Sequence, residues 1–220
     1  HLGECPLCFL PMPLEPQKSS FYTCCCKLVC KGCSYANWKN NGGDRCPFCR
    51  EPSVDEEKRR KRMMKRIKAN DPAAMVQMGT VHYDEEGDYV SAVEYWTRAA
   101  ELGDAAAHYQ LSAMYRIGLG VEGDEEKAVY HLEKAAVGGH PRARYNLGCI
   151  EEANGNTERA VKHFIINANL GHEGSMKKLW PLYSAGNVTK EELEATLLTH
   201  KAALDEIKSP EREEAEAVYY

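Results

Sequence analysis

Beyond residue 70, apolar and small side chains recur at helical spacing in paired segments, each pair divided by a turn such as Gly118-Leu-Gly120-Val-Glu-Gly123. The pairing itself repeats. Met78-Gly79, Leu111-Ser112 and Leu147-Gly148 correspond at spacings of 33 and 36 residues, and Ala92, Ala128 and Ala160 follow them. Tyr95-Trp96, His131-Leu132 and His163-Phe164 come next, and the units close on Leu102-Gly103-Asp104, Gly138-Gly139-His140 and Leu170-Gly171-His172. Each unit therefore reads as an antiparallel helix pair. One pair cannot bury its own apolar face, so about three units and a cap are the expected minimum. The Ala and Gly positions have a packing reason, because stacked helices approach closely and only small side chains fit between them.

The flanks are less regular. From residue 175 the repeat fades, although Met176, Leu179, Trp180 and Leu182 still read as a helix that Pro181 should kink or end. Thr189 and Glu192 form a capping box that opens a final helix, expected to run toward Ile207 and stop near Ser209-Pro210. Ahead of the repeats, residues 53–68 open on a second capping box, Ser53 with Glu56, and continue in strong helix formers with Met63, Met64 and Ile67 as a narrow apolar stripe. Asn70-Asp71-Pro72 ends that helix and starts the next, with Asp71 as N-cap and Pro72 in the first turn.

Residues 1–50 show no such periodicity, and their apolar content is little more than Leu7, Leu10, Phe21, Leu28, Val29, Trp38 and Phe48. That is too little to fold a segment of this size unaided. Composition changes the picture here: of ten cysteines in 220 residues, nine fall between Cys5 and Cys49 and only Cys149 lies beyond. The order is Cys5-Pro-Leu-Cys8, then Cys24-Cys25-Cys26, then Cys30-Lys-Gly-Cys33, then Cys46-Pro-Phe-Cys49. A CxxC pair presents two thiolates from one tight turn to a tetrahedral ion, and two pairs complete a zinc shell. Four pairs imply two zinc ions. A disulfide scaffold is the competing reading, but an odd cysteine count and adjacent cysteines argue against it. Four protein ligands leave no open position for water, so the expected zinc is structural, contributing on the order of 10 kcal/mol or more of folding free energy per site. Which two of the triplet serve, Cys24 with Cys25 or Cys24 with Cys26, stays open from spacing.

Charge divides the chain again. Residues 1–50 carry a net charge of +3 and residues 51–68 of +4, which leaves -12 on the rest of a chain whose total is -5. The run Lys58 to Arg62 is a candidate nucleic-acid or nuclear-localisation patch, yet no aromatic residue interleaves it and four acids precede it, so a solvated spacer helix is expected. Nucleic acid is not the expected partner. No apolar run approaches the roughly 18 residues of a bilayer span, and the mean hydropathy is -0.55, so no membrane partner is expected either. The chain opens on His1 and not on Met, so whether a segment precedes it stays open. A soluble, intracellular protein of cytoplasm or nucleus is the expectation.

The cysteine order resembles the RING finger. The resemblance implies that the first and third pairs, Cys5, Cys8, Cys30 and Cys33, share one ion, while Cys46 and Cys49 share the other with two of the triplet. The histidine usual in the second pair is absent, so the match is to an all-cysteine variant with Cys26 either spare or the alternative ligand. RING fingers bring a ubiquitin-conjugating enzyme to a substrate, and the positions that match their docking surface are Leu7, Trp38 and Pro47, with Arg50 at the place of a cation that holds ubiquitin. Plain structural roles stand beside these: Trp38 as the cap of a small core, Pro47 as a stiffener of the turn, Arg50 as a solvated charge.

Residues 105–140, AAAHYQLSAMYRIGLGVEGDEEKAVYHLEKAAVGGH, resemble the Sel-one-like repeat, a relative of the tetratricopeptide repeat, at its small-residue, LGxxY, GxGV, KA and KAAxxG positions. The units on either side have shorter turns, Asp84 to Asp88 and Glu152 to Asn156. The whole arrangement, with the tail KEELEATLLTHKAALDEIKSPEREEAEA, resembles a family of short diatom proteins. The expected fold is a small zinc-stabilised α+β RING-like domain (1–52), a basic linker helix (53–69), an all-α solenoid of three helix-pair repeats (70–172) and C-terminal capping helices (173–220). What the resemblance implies is a ubiquitin-ligase-type adaptor whose repeats hold a protein substrate. A non-catalytic scaffold is the alternative. His108, His131, His163 and His172 lack partners at ligand spacing, and Cys149 reads as a small buried hydrophobe, so packing roles are expected for them. With no nucleophile-base pattern, phosphate-binding Gly loop or HExxH, the chain has no catalytic residues of its own.

Overall fold

The structure is a computed structural model that describes residues 3–42, 45–52 and 56–219. Its backbone divides into two units, Leu2–Leu102 with Ile207–Tyr220, and Gly103–Glu206. Among the described residues no helix is long and apolar enough to cross a membrane.

The first unit begins with an antiparallel hairpin, β1 (Ser19–Tyr22) and β2 (Lys27–Cys30), in which Ser20 faces Val29 and Phe21 faces Leu28. Helix α1 (Lys31–Asn41) follows directly, capped by Cys30, whose Sγ accepts from the Cys33 amide, and closed by Gly42 in the left-handed region at φ 70°. The core of this head is small: Cys5, Met12, Val29 and Cys30 are buried, with Leu7, Tyr22 and Phe48 packed against them. Helix α2 (Glu56–Lys68) buries Met63 and Ile67, while Met64 lies 38% exposed. Its Ser53–Glu56 capping box lies outside the described residues. Cations of α2 pair with acids, Arg59 with Glu85, Arg60 with Glu86, Arg62 with Glu51 and Arg66 with Asp71, as a solvated spacer helix would.

Asp71 caps α3 (Pro72–Val81) through its Oδ1, which accepts from the Ala73 amide at 3.1 Å. A single π-helical turn over His82–Glu86 and Gly87 at φ 65° then reverse the chain into α4 (Tyr89–Glu101). Met75, Met78 and Trp96 are buried between these helices.

The second unit runs α5 (Ala105–Ile117), α6 (Glu125–Val137), α7 (Pro141–Ala153), α8 (Thr157–Ala168), α9 (Glu173–Ser184) and α10 (Lys190–Glu206), each packing on its neighbour in sequence. Asp104, Asp124, His140 and His172 each cap the helix that follows with a side-chain acceptor. The expected capping box at α10 is formed, with the Thr189 amide donating to Glu192 Oε2 at 2.9 Å and the Glu192 amide donating to Thr189 Oγ1 at 3.2 Å. Pro181 does not end helix α9, which runs on to Ser184 and stops ahead of Gly186 at φ 79°.

One expectation about the tail changes. Ser209-Pro210 ends the helix expected to be the last, but it also starts another, α11 (Pro210–Tyr219), with Pro210 in the first turn and the Ser209 carbonyl and hydroxyl accepting from the Arg212 amide. Of residues 173–220, α9 and α10 pack on α8, whereas α11 packs on α1.

Candidate metal centre

The two flanking CxxC segments fold into the same knuckle. In the first, the Phe9 amide donates to the Cys5 carbonyl at 2.8 Å and the Cys5 amide to the Leu10 carbonyl at 2.9 Å; in the second, Arg50 donates to Cys46 and Cys46 to Glu51, both at 2.9 Å. Phe9 and Arg50 both take positive φ, 58° and 55°. Left-handed backbone at a non-glycine residue costs roughly 1–2 kcal/mol, so each knuckle holds strain that a ligand across its two thiols can offset.

These knuckles and the hairpin bring the thiols together in two sets, Cys5, Cys8, Cys30 and Cys33, and Cys24, Cys25, Cys46 and Cys49, with all Sγ atoms of a set within 4.8 Å of one another. No disulfide is present, since all ten cysteines are free. A tetrahedral ion with bonds of roughly 2.3 Å to sulfur places its ligands about 3.8 Å apart. Cys8 and Cys30 Sγ stand at 3.8 Å, and Cys25 and Cys46 Sγ at 3.9 Å. The donor sets therefore fit tetrathiolate zinc in number, chemistry and size. Among the described residues no other group of three or more His, Cys, Asp or Glu side chains converges in this way.

Electrostatics agrees with that fit. Burial pushes the Cys5 thiol up, but amide hydrogen bonds from Cys30, Cys8 and Leu7 outweigh it and bring the thiol down to about 7. Burial and the neighbouring Cys49 and Cys46 push Cys25 up to about 11, and burial raises Cys24 and Cys33 further still. Four crowded thiols resist joint ionisation, and a divalent cation removes that resistance.

Cys26 stands outside both sets. It sits at φ 47° with its thiol toward the Thr23 carbonyl at 3.6 Å. Of the other expected site residues, Trp38 is 56% exposed and stacks on Tyr35 at 5.9 Å, Pro47 is half-buried, and Arg50 is exposed. Leu7 is half-buried against the head core. Among the described residues of the head, Phe9 is the most exposed large apolar side chain, at 71%. Sequence reasoning passed over it, although its place directly after a CxxC pair, like that of Arg50, was available as a signal.

Three of the four repeat histidines have structural partners, since His108 and His131 Nδ1 atoms lie 2.9 Å apart, His131 stacks on Tyr115 and His172 caps α9, whereas His163 Nδ1 is buried without a hydrogen-bond partner. Cys149 is partly buried against the cluster around Phe164. Small residues stand where the sequence placed them: a Cβ on Gly148 would come within 2.6 Å of the Phe164 ring, and one on Gly138 within 2.7 Å of the Ala105 Cβ. A cleft lined by Tyr109, Ser112, Arg116, Asn146 and Ile150 opens on this unit.

Residues 72–104, 105–140 and 141–172 each match the Sel1 repeat family. Residues 72–172 are three Sel1 repeats. The Sel1 repeat protein of Oxalobacter formigenes superposes with a TM-score of 0.57 at 28% identity, covering 78% of this chain and 72% of that one. A second solved structure, c5321, a protective antigen of uropathogenic Escherichia coli strains with an SLR fold, gives a TM-score of 0.54 at 19% identity over 85% of this chain and 39% of its own, a likeness of fold alone. Among curated proteins, chitin synthase regulatory factor 4 of Schizosaccharomyces pombe is 29% identical over 133 residues, 57% of this chain and 21% of that protein. The chain thus spans about a fifth of the length of that relative. The helical-repeat solenoid expected for the body is therefore a Sel1 repeat array, and Sel1 repeat proteins bind protein partners.

Proposed function

We propose that this protein is a protein-binding adaptor in which the Sel1 repeats hold one partner and a two-zinc head presents a second. Cys5, Cys8, Cys30 and Cys33 would hold one ion and Cys24, Cys25, Cys46 and Cys49 the other. Bound zinc supplies the folding free energy that so small a core lacks. With every position of each shell filled by sulfur, the head binds and orients and does not hydrolyse.

In its finer form, the second partner is a ubiquitin-conjugating enzyme. The observation that supports this reading is the interleaving of the two cysteine sets along the chain, first and third pairs together and second and fourth together, the order that the RING resemblance implies. Exposed Trp38, stacked on Tyr35, offers an apolar anchor, and Pro47 and Arg50 lie on the second knuckle. Ubiquitin would pass directly from the conjugating enzyme's thioester, by proximity, with no covalent intermediate on this chain. A purely non-catalytic scaffold is the second reading, and the packing of Leu7 against the head core favours it, because a half-buried leucine has less surface to dock. The paired cations of α2 leave a nucleic-acid role with the least support.

An in vitro discharge assay across a panel of ubiquitin-charged conjugating enzymes separates these forms. Acceleration with at least one enzyme, lost in Trp38→Ala, supports the ligase form. Protein capture by the repeats with no acceleration for any enzyme leaves the scaffold.

A further inference from the structure

Helix α11 meets the head through one face, made by Arg212, Ala215, Glu216 and Tyr219 at helical spacing. Only Ala215 is a buried apolar residue on that face. Around it are exposed ion pairs, Glu214 with Lys39 at 2.6 Å and Glu216 with Lys18 at 2.8 Å, and Tyr219 set edge-on to Tyr35 at 6.1 Å. Such pairs are individually weak, and a ten-residue helix is marginal by itself. The exception is Arg212, which is 7% exposed. Its Nη1 donates to the carbonyls of Pro11 at 2.9 Å and Ile207 at 2.8 Å, and its Nη2 lies 3.5 Å from both the Leu10 carbonyl and Cys8 Sγ.

Two features make this arginine unusual. A cation in the first turn of a helix opposes the helix dipole, while the neighbouring Glu211 and Glu213 suit it. Among the described residues no carboxylate pairs with the buried guanidinium, and its Nε has no hydrogen-bond partner at all. A buried cation without a counter-ion is costly. The groups within its reach that become anionic on binding a metal are the thiols of Cys8 and Cys30. Four thiolates around one divalent ion carry a net charge of about -2, which a buried guanidinium complements. The backbone is shaped to allow this approach, because a Cβ on Gly32, between ligands Cys30 and Cys33, would meet the Arg212 backbone nitrogen at 2.7 Å.

We propose that Arg212 is the outer-sphere cation of the Cys5, Cys8, Cys30 and Cys33 centre, and that metal loading there clasps α11 onto α1, an inference that rests on reading this cysteine set as a zinc site. Arg212 is a positioning residue: it touches the ligands and not the ion.

The test uses the full chain, loaded with zinc and checked for two ions by native mass spectrometry. Zinc affinity is read by competition with a chelator, and hydrogen exchange is followed over residues 210–219. Arg212→Met is expected to load two ions, to hold one of them about 10- to 100-fold more weakly than wild type, and to exchange rapidly over α11 even while zinc is bound. Arg212→Lys keeps the charge and loses the fork, and is expected between the two. If Arg212→Met does not load zinc, Arg212→Lys against wild type carries the same comparison. Variants that hold both ions with wild-type affinity and wild-type protection of α11 overturn the clasp while leaving the zinc reading intact. A wild-type chain that takes up no zinc overturns the reading of the cysteines, and the clasp with it.

Discussion

Gly79 on α3 faces the indole of Trp96 on α4 so closely that a methyl group at Gly79 would lie 2.5 Å from Trp96 Nε1. Gly148 and Phe164 repeat the relationship at 2.6 Å in the third repeat. At the equivalent places of the middle repeat stand Ser112 and Leu132. The larger residue on the first helix accompanies the smaller one on the second, so each repeat keeps a similar total volume between its helices.

This size matching predicts a specific coupling. Gly148→Ala is expected to cost about 1–3 kcal/mol by overpacking against the Phe164 ring, and Phe164→Leu in the same chain should restore part of that loss. Urea denaturation of the two single variants and the double variant measures the coupling. Strictly additive losses would remove the packing explanation.

Native mass spectrometry is expected to show two zinc ions per chain, with chelation unfolding the head while the helical circular dichroism of the repeats persists. Within the triplet, Cys25→Ser should lose one ion, because Cys25 Sγ lies 3.9 Å from Cys46 Sγ. Cys26→Gly should keep both, since Cys26 is in neither set and its φ of 47° suits glycine. One ion lost from the Cys26 variant and none from the Cys25 variant would reverse the ligand assignment.

Docking and folding are expected to separate in the head. Trp38→Ala is expected to keep both zinc ions and near wild-type stability, and to weaken a micromolar conjugating-enzyme partner roughly thirtyfold, or about 2 kcal/mol. Leu7→Ala should also lower head stability by about 1–2 kcal/mol, because Leu7 packs against the buried Cys5, Met12 and Val29. Arg50→Ala is expected to leave partner binding unchanged and slow discharge alone. Affinity titration, thermal melts and single-turnover discharge read the three effects separately.

Acid should weaken the second unit through His140, whose Nδ1 caps α7 by accepting from the Ala143 amide at 3.3 Å and whose ring stacks on Tyr109 at 4.3 Å. Burial, with help from the Arg142 charge, pulls its pKa from 6.5 to about 4. The unfolded chain therefore binds the proton first, so the contribution is fully present above pH 6.5 and is lost as pH falls toward 4. The loss is expected at roughly 2 kcal/mol after allowance for residual exposure. His140→Asp keeps a capping acceptor, as at Asp104 and Asp124, and should flatten this part of the pH profile. Equal acid sensitivity of both chains in thermal melts from pH 7 to 4 would assign the effect elsewhere.

What the sequence determined by itself was local or periodic. The spacing of Gly79, Ser112 and Gly148 against Trp96, Leu132 and Phe164 fixes helix pairs, because a helix face repeats every 3.6 residues. Asp71 and the Thr189-Glu192 box mark helix starts, because a cap is made within three residues. The CxxC pairs mark candidate metal ligands for the same reason. Tertiary structure alone decided the rest. The grouping of Cys24 and Cys25, and not Cys26, with Cys46 and Cys49 depends on where the β1–β2 hairpin turns its thiols, and the half-burial of Leu7 on what packs around the first knuckle. The approach of Arg212 to Cys8, 204 residues away along the chain, leaves no periodic trace, and the sequence pattern ends its last helix near Ser209-Pro210, before α11. Contacts between distant segments depend on chain path and close packing, and neither is written in local spacing.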